Sequence, residues 1–401
     1  MTLALISTTR RHTQPDQPSG NLFVYDLELK RIIRKSEIVE PPYRDVDTNP
    51  RGGLRGLKGI SIEGNRVALA NASTVFLYDH HWNPLAYTWH PSCAGIHDIR
   101  LQGESVWTTS SRNDLLILLD FKGDILKYYD LRRFDFIHQR APRLSKPFLS
   151  HTQIMEGSVD FRDPRNYDHT ITDSLHVNSL VFLQNGDCLV SCGLFRIMTQ
   201  YGLHKINNLL KKTNLAELLR WLYRSIKKAL PTKKNEIPGA KSENKEKSIS
   251  MIVRLRQDNK ALPGLEISGS KVPSHSIRLL QDNSAIYLNT TTGEIIHFDP
   301  ENDTVYSSTV VGSKFLRGAR QLPDGTILIG DNNFLIHFDL AGKKVLSKTL
   351  LIDDPSEAIF DINILPGHFE LPPESFIQLH KDKLPVYQVD NEKVDFIQIE
   401  V

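Results

Sequence analysis

Short apolar runs alternate with polar turns along most of the chain, and the same arrangement recurs at a regular spacing. Residues 274–299, SHSIRLLQDNSAIYLNTTTGEIIHFD, show it most clearly as a strand, a turn, a second strand, another turn and a third strand. Related units lie at 53–88, 95–131, 175–201 and 315–350. Adjacent clean units are about 40 residues apart, a period typical of four-stranded propeller blades. The pattern predicts an all-β chain folded as a β-propeller.

The units share their turn residues. The first strand ends at a Gly or Asn turn (EG, QG, NG, DN or DG), and the third strand ends in Asp, as in FLYD, LLD and HFD. Residues 358–366 look like a first strand with nothing after it, whereas the N-terminal runs LALISTT and NLFVYDLELKRIIRK look like later strands without a first strand. Joined as blade one, the two ends would hide both sheet edges. Six blades closed by N- and C-terminal strands are therefore predicted, with seven as the alternative.

Two insertions interrupt this single predicted domain, residues 1–401. Residues 132–174 are rich in Arg, Asp, Pro and His without clear periodicity, which is typical of a binding loop or lid. Within blade four, residues 203–230 have the apolar spacing of an amphipathic helix, and a polar, flexible linker follows. The whole segment 201–248 has twelve Lys or Arg and four Asp or Glu. Such a basic helix can dock on a membrane surface or a protein partner, or pack against the propeller.

Composition restricts the functional classes. The net charge of +2 over 401 residues argues against nucleic acid as a partner. No apolar run approaches the ~20 residues that span a bilayer, and the N-terminus lacks the charge order of a signal peptide. A cytoplasmic protein is expected, with peripheral membrane association as an option. The three cysteines are too few for a disulfide framework and are expected to be buried thiols. No cofactor motif is present, and no cofactor is expected.

The first strand of every propeller blade lines the central channel, so one repeat position from different blades converges at a channel mouth. That position carries polar, mostly basic or imidazole, side chains in five units: Lys58, His97, His176 with Asn178, His275 and Arg317. Imidazoles can ligate a metal, act as a nucleophile or acid–base catalyst, or hold an anion together with Arg and Lys. The two cations favour an anion over a metal ion, and no Asp or Glu clearly joins the set.

These positions predict a pocket for a small-molecule substrate at the channel mouth. We expect the three histidines to be the catalytic residues, and no metal to be bound. The expected substrate-binding residues are Lys58, Asn178 and Arg317.

Two segments resemble the bacterial arylsulfotransferases. Residues 173–191, DSLHVNSLVFLQNGDCLVS, look like the Asp-x-x-His-x-Asn-Ser run that opens a blade in that family. Residues 274–293, SHSIRLLQDNSAIYLNTTTG, are similar to its blade carrying the histidine that accepts the sulfuryl group. The blade openings VPSHSIRLL and FLRGARQL also resemble uncharacterised bacterial propeller proteins.

The arylsulfotransferase family is a six-bladed propeller that moves a sulfuryl group between phenols through a histidine intermediate. The resemblance implies that His275 is the nucleophile and that His176 and Asn178 contact the sulfate. His97 would match a further pocket histidine.

Two classes of function stay open at this point. The chain is either a group-transfer enzyme acting on an aromatic or anionic small molecule, or a non-catalytic propeller that binds a protein, a glycan or a membrane surface, with 203–230 as the docking helix. Propellers host both classes, so the fold alone does not decide. A metal enzyme is a third option.

Overall fold

The chain forms six four-stranded antiparallel sheets arranged as a ring around a central channel. The computed structural model describes residues 2–11, 19–37, 56–140, 149–163, 166, 173–195, 249–313 and 315–374. Each sheet runs outward from an inner strand at the channel to an edge strand. The six sheets contain every strand within these ranges. The prediction of an all-β propeller with six rather than seven blades is confirmed.

Blade one takes strands from both ends of the described chain, whereas the other blades each use four consecutive strands. Blade one consists of β1 (Leu3–Arg10), β2 (Asn21–Asp26), β3 (Arg31–Glu37) and, inside β1, the last strand of the described ranges, β24 (Glu357–Leu365). Blades two and three consist of β4 (Gly59–Glu63), β5 (Arg66–Ala70), β6 (Thr74–Asp79), β7 (Pro84–Trp89), β8 (Ile99–Gln102), β9 (Ser105–Ser110), β10 (Leu115–Asp120) and β11 (Ile125–Asp130).

The remaining three blades follow the same order from the channel outward. They consist of β12 (Val177–Phe182), β13 (Cys188–Phe195), β14 (Ile249–Leu255), β15 (Ala261–Ser268), β16 (His275–Leu279), β17 (Ala285–Asn289), β18 (Glu294–Asp299), β19 (Thr304–Val310), β20 (Leu316–Gln321), β21 (Ile327–Asp331), β22 (Phe334–Asp339) and β23 (Lys344–Leu350). Between blades three and four lie a 3-10 turn (Leu131–Arg133), α1 (Asp135–Arg140) and α2 (His151–Glu156).

A residue with left-handed backbone conformation occupies the turn after the inner strand in each of blades two to six. The five positions have φ between 57° and 86° and are Gly64, Gly103, Gly186, Asn283 and Gly325. Glycine adopts this conformation without a steric penalty, and asparagine tolerates it better than most residues. The recurring Gly and Asn pairs of the sequence therefore form the turns between the inner strand and the second strand of these blades.

The Asp that ends a third strand caps the turn that follows it. The Asp79 carboxylate accepts hydrogen bonds from the backbone N–H groups of His81 and Asn83, at 2.9 and 2.8 Å. This is the geometry by which an Asp side chain stabilises a tight turn. Equivalent contacts are made by Asp26, Asp120, Asp299 and Asp339.

The ring closes where β24 pairs with β1, from Leu3 opposite Leu365 to Arg10 opposite Glu357. The buried Glu357 carboxylate fixes the far end of this pairing. It accepts hydrogen bonds from the Thr8 hydroxyl, from the Asn21 amide at 2.7 Å and from Arg10 at 3.1 Å. The predicted closure by N- and C-terminal strands is confirmed, and neither strand is left as a free inner edge.

Hydrophobic clusters fill the wedges between neighbouring blades. Val75 of blade two packs in one cluster with Ile117 of blade three, and Trp107 of blade three packs in another with Val177 of blade four. The three cysteines are buried free thiols, as expected. Burial raises the pKa of Cys93 to about 12.

The two insertions differ in how much of them is described. The helical segment predicted at 203–230 and the linker to residue 248 lie outside the described residues, between β13 and β14. In the insertion 132–174, Ile154 of α2 is buried against blades two and three. Arg112 of blade three donates hydrogen bonds to the carbonyls of Phe161 and Arg162. The role of the insertion 132–174 as a lid stays a prediction. No helix within the described ranges is long and apolar enough to cross a membrane.

Replacing Glu357 by Gln should weaken the closure of the ring. One amide oxygen cannot serve all three donors, and Arg10 loses one of its two carboxylate partners, the other being Asp354 at 3.1 Å. We expect the free energy of unfolding to fall by roughly 2–4 kcal/mol, measured by urea denaturation. Glu104→Gln is the control, because its ion pair with Arg66 is on the surface and should contribute less than about 1 kcal/mol. Equal losses in both variants would contradict the role of Glu357.

Candidate functional site

One side chain from each blade reaches the same mouth of the channel, close to the start of the inner strand. We call these six residues the channel-mouth cluster: Lys58, His97, His176, His275, Arg317 and Phe360. Five of the six were expected from the repeat position. The sixth, Phe360, belongs to β24, and the repeat pattern did not reveal it because the start of blade one lies at the far end of the chain.

The three histidines predicted as catalytic lie in contact with one another. The ring centroids of His97 and His176 are 4.9 Å apart, those of His97 and His275 5.5 Å, and those of His176 and His275 6.0 Å. One ring nitrogen from each lies within 4.8 Å of those from the other two. Three blades that follow one another in the ring therefore present three nitrogens to one small volume. Their catalytic roles stay a prediction.

Burial and nearby positive charge keep two of these imidazoles neutral. Burial lowers the pKa of His97 and of His275 well below 6.5, and the charges of Lys58 and Arg317 lower both further. Nδ1 of His97 and Nε2 of His275 are buried without a hydrogen-bond partner among the described residues. A neutral imidazole nitrogen can act as a base, a nucleophile or a ligand.

The two cations of the cluster flank Phe360. The Arg317 guanidinium lies 4.8 Å from the centroid of its ring and the Lys58 ammonium 5.9 Å, within the range of cation–π attraction. The same ring lies 5.4 Å from His97 and 6.2 Å from His275. The channel-mouth cluster thus combines an aromatic ring, two positive charges and three imidazoles.

A carboxylate orients His176. Nδ1 of His176 lies 2.9 and 3.0 Å from the two oxygens of Asp173, which fixes the ring and favours the tautomer with the proton on Nδ1. Behind it, Asp114 accepts hydrogen bonds from the backbone N–H groups of residues 174–176. The Arg132 guanidinium donates to Asp114 at 2.8 and 2.6 Å. This buried pair holds His176 in its left-handed conformation, φ 52°.

Asn178 joins blade four to blade five beside the cluster. Its amide nitrogen donates to the carbonyl of Ser274 at 2.7 Å, directly before His275. Ser274 in turn donates its N–H to the carbonyl of Gly193 at 2.9 Å. A Cβ at Gly193 would lie 2.3 Å from the Asn178 amide, so this close approach requires glycine. Asn178 positions the backbone at His275, and its predicted contact with substrate stays a prediction.

An ion-pair network crosses the channel directly next to the cluster. Arg278 of blade five binds Asp98 of blade three at 2.9 Å and Asp361 of blade one at 2.6 Å. Asp98 also pairs with Arg100 at 2.8 Å. Asp98 follows His97 in the chain, and Asp361 follows Phe360. Neither Asp belongs to the repeat position that forms the channel-mouth cluster, but the inner strands bring both side chains to Arg278 beside it.

The cross-channel network is buried, and each charge in it is paired with an opposite charge. Arg278 is almost fully enclosed, which by itself lowers the pKa of its guanidinium, but the two carboxylates reverse that effect and raise it. Paired and hydrogen-bonded charges of this kind are costly to break, since removal of one partner leaves another buried and alone. The network gives the channel-mouth cluster a rigid floor.

Comparison with known proteins identifies the fold alone. No protein-family model and no curated protein matches the sequence. Among solved structures the chain is similar to one in a nidogen/laminin complex, with a TM-score of 0.50 and 9% identity over 91% of this chain and 98% of that one.

Two enzyme structures also align with it. A putative 6-phosphogluconolactonase of Bacteroides fragilis aligns with a TM-score of 0.45 and 11% identity, over 90% of this chain and 97% of that one. A virginiamycin B lyase of Staphylococcus aureus aligns with 0.41 and 13%, over 75% and 71%. Identities this low carry no information on activity.

The depressed pKa of His275 predicts a pH-dependent stability. In the unfolded chain this histidine titrates near 6.5, so below that pH the unfolded state binds a proton that the folded state does not. Well above pH 6.5 His275 is neutral in both states and its titration does not change the free energy of unfolding. As the pH falls below 6.5, protonation of the unfolded chain lowers the free energy of unfolding. His275→Asn should remove up to about 1.4 kcal/mol per pH unit from the slope of unfolding free energy between pH 6 and 5.

Urea unfolding between pH 5 and 8 measures this slope. His151→Asn is the matched control for the loss of an imidazole, because that side chain is solvent-exposed and contacts Tyr128 at the surface, far from the cluster. A slope unchanged by His275→Asn would show that the imidazole titrates in the folded state as it does in the unfolded chain.

Proposed function

We propose that the chain is a group-transfer enzyme that moves a sulfuryl group between aromatic hydroxyl groups at the channel-mouth cluster. The observation that carries this proposal is the meeting of three imidazoles with the cations Lys58 and Arg317 around one aromatic ring, Phe360. An aryl sulfate matches that combination, because its oxygens carry negative charge and its ring is apolar. The substrate is thus a small aromatic anion.

The nucleophile in this proposal is Nε2 of His275. It attacks the sulfur of the aryl sulfate, an N–S bond forms, and the bond from sulfur to the phenol oxygen breaks with its electron pair on that oxygen. A proton from His176 neutralises the leaving phenolate. In the second half-reaction the acceptor phenol gives its proton to His176 and attacks the sulfur, and the N–S electron pair returns to His275. No redox partner is needed, because every electron pair and proton is returned.

In this proposal the remaining residues either bind the negatively charged sulfuryl oxygens or hold His176 and His275 in place. Asp173 fixes the ring orientation of His176, as a carboxylate does behind a catalytic histidine. Lys58 and Arg317 hold the sulfuryl oxygens by charge-assisted hydrogen bonds, and His97 contacts another of them. Asn178 keeps His275 in place through Ser274.

The choice of a sulfuryl group rests on the resemblance to arylsulfotransferases. The two segments that carry it, 173–191 and 274–293, contain His176 and His275, and their rings lie 6.0 Å apart. The geometry alone would equally suit transfer of another small anionic group, such as a phosphoryl group. Sulfuryl transfer is the specific form that the experiment below tests.

A metal centre is the second candidate, and the spacing of the three imidazole nitrogens within 4.8 Å favours it. A zinc ion with bonds of about 2.0–2.1 Å would require the rings to move closer together. Asp173 behind His176 would support such a ligand, since metal-bound histidines usually donate their other N–H to a carboxylate. The nearby charges of Lys58 and Arg317 oppose a cation there.

The proposal is tested with p-nitrophenyl sulfate as donor and phenol as acceptor. We expect the wild type to release nitrophenolate and to form phenyl sulfate. His275→Ala should lower kcat on the order of 10³-fold or more, and His176→Ala by roughly 10²–10⁴-fold. Mass spectrometry of quenched protein should find the sulfuryl group on His275 in the wild type and not in the alanine variant.

His297→Ala is the matched control, because His297 lies on β18 in the same blade and hydrogen-bonds Ser284 away from the cluster. Full turnover in His275→Ala would contradict the assignment of His275 as the nucleophile. Stoichiometric zinc in the purified protein, with loss of activity on chelation, would favour the metal centre. A wild type that neither turns over aryl sulfates nor holds metal would favour the non-catalytic scaffold, and deletion of 201–248 would then test the docking helix.

A further inference from the structure

A second set of polar side chains lies three residues further along the inner strands. Each of His97, His275 and Arg317 is followed at that distance by an arginine, so the spacing His/Arg-x-x-Arg occurs in three blades. These arginines are Arg100, Arg278 and Arg320, in blades three, five and six, and the corresponding positions of the other blades hold Ser61, Ser179 and Asn363.

The charges at this level of the channel do not balance. Arg278 is fully engaged by Asp98 and Asp361, and Arg100 shares Asp98 with it. Three guanidinium groups therefore face two carboxylates. The Arg320 side chain forms no hydrogen bond or ion pair with any residue of the ranges that the structure describes. The Asp361 charge reaches it, but that carboxylate is already bound by Arg278 at 2.6 Å, so the arginines at this level outnumber the carboxylates.

Arg320 lies on the far side of the network from the channel-mouth cluster. Arg317 sits near the start of β20 at the cluster, whereas Arg320 is the penultimate residue of that strand and is exposed to solvent. The channel wall around the arginine still removes part of its hydration, and this desolvation, together with the charges of Arg100 and Arg278 and against that of Asp361, lowers the pKa of Arg320 to about 10. An anion bound there would relieve that repulsion.

We propose that Arg320 and Arg100 form an oxyanion-binding site at the opposite mouth of the channel. Blades three and six lie on opposite sides of a ring of six, so their inner strands face a ligand in the channel from two sides. Arg100 already uses one nitrogen for Asp98 at 2.8 Å and the Ile99 carbonyl at 2.6 Å, and in this proposal its other nitrogens bind the anion. The ligand is a small tetrahedral oxyanion such as sulfate or phosphate, since a guanidinium presents paired donors that match two of its oxygens. The site is independent of group transfer at the channel-mouth cluster.

Because the cluster also carries cations, the two sites must be separated. Arg317→Gln removes a cation of the cluster and leaves the opposite mouth intact, so this variant is the background for the titration. Sodium sulfate is titrated calorimetrically into Arg317→Gln, into Arg317→Gln/Arg320→Gln and into Arg317→Gln/Arg320→Lys. Sodium chloride at matched ionic strength corrects for screening, and near-ultraviolet circular dichroism checks that each variant is folded.

We expect sulfate to bind Arg317→Gln and to bind the double variant with Arg320→Gln at least about tenfold more weakly. Arg320→Lys should restore part of the affinity, because it keeps the charge and loses the paired donors. Equal affinity with and without Arg320, or loss of all sulfate binding in Arg317→Gln alone, would overturn the second site. Neither result bears on turnover by His275, so the two proposals fail separately.

Discussion

The pairing of β24 with β1 is the interaction on which the rest of the structure depends. It turns five consecutive hairpin blades into a closed ring by giving blade one its inner strand. The same strand carries Phe360 and Asp361, one a wall of the channel-mouth cluster and the other a carboxylate for Arg278. The strand that closes the ring therefore also completes the channel-mouth cluster and the ion-pair network beside it.

A repeat fold converts one position along the sequence into a ring in space. The position near the start of the inner strand forms the channel-mouth cluster, and the position three residues later forms the arginine level beyond it. Within that arginine level, Arg278 of blade five binds Asp98 of blade three and Asp361 of blade one and so joins alternate blades across the channel. Burial itself lowers the pKa values of His97 and His275, and the neighbouring cations lower them further, whereas Asp98 and Asp361 outweigh burial and raise the pKa of Arg278.

The parts of this architecture that follow local rules could be predicted from the sequence. Gly103 and Asn283 mark turns because the backbone there is left-handed, and Asp79 ends its strand because its carboxylate caps the next turn. Axial positions such as His176 and His275 follow from the repeat. Contacts between blades could not be predicted, because they depend on how strands distant in sequence meet. Asp114 beneath residues 174–176 and Asp98 beside Arg278 are of this kind.

The place of β24 in the chain has a consequence for biosynthesis. A ribosome makes blades two to six before it reaches residues 357–365, so a nascent chain can build these sheets while β1 still lacks its partner. Until then Arg278 has one of its two carboxylates and the histidines lack their aromatic neighbour. A chain released early would present stacked blades with an open wedge and no finished pocket. Whatever chemistry this channel performs, it begins only after the last inner strand has been translated.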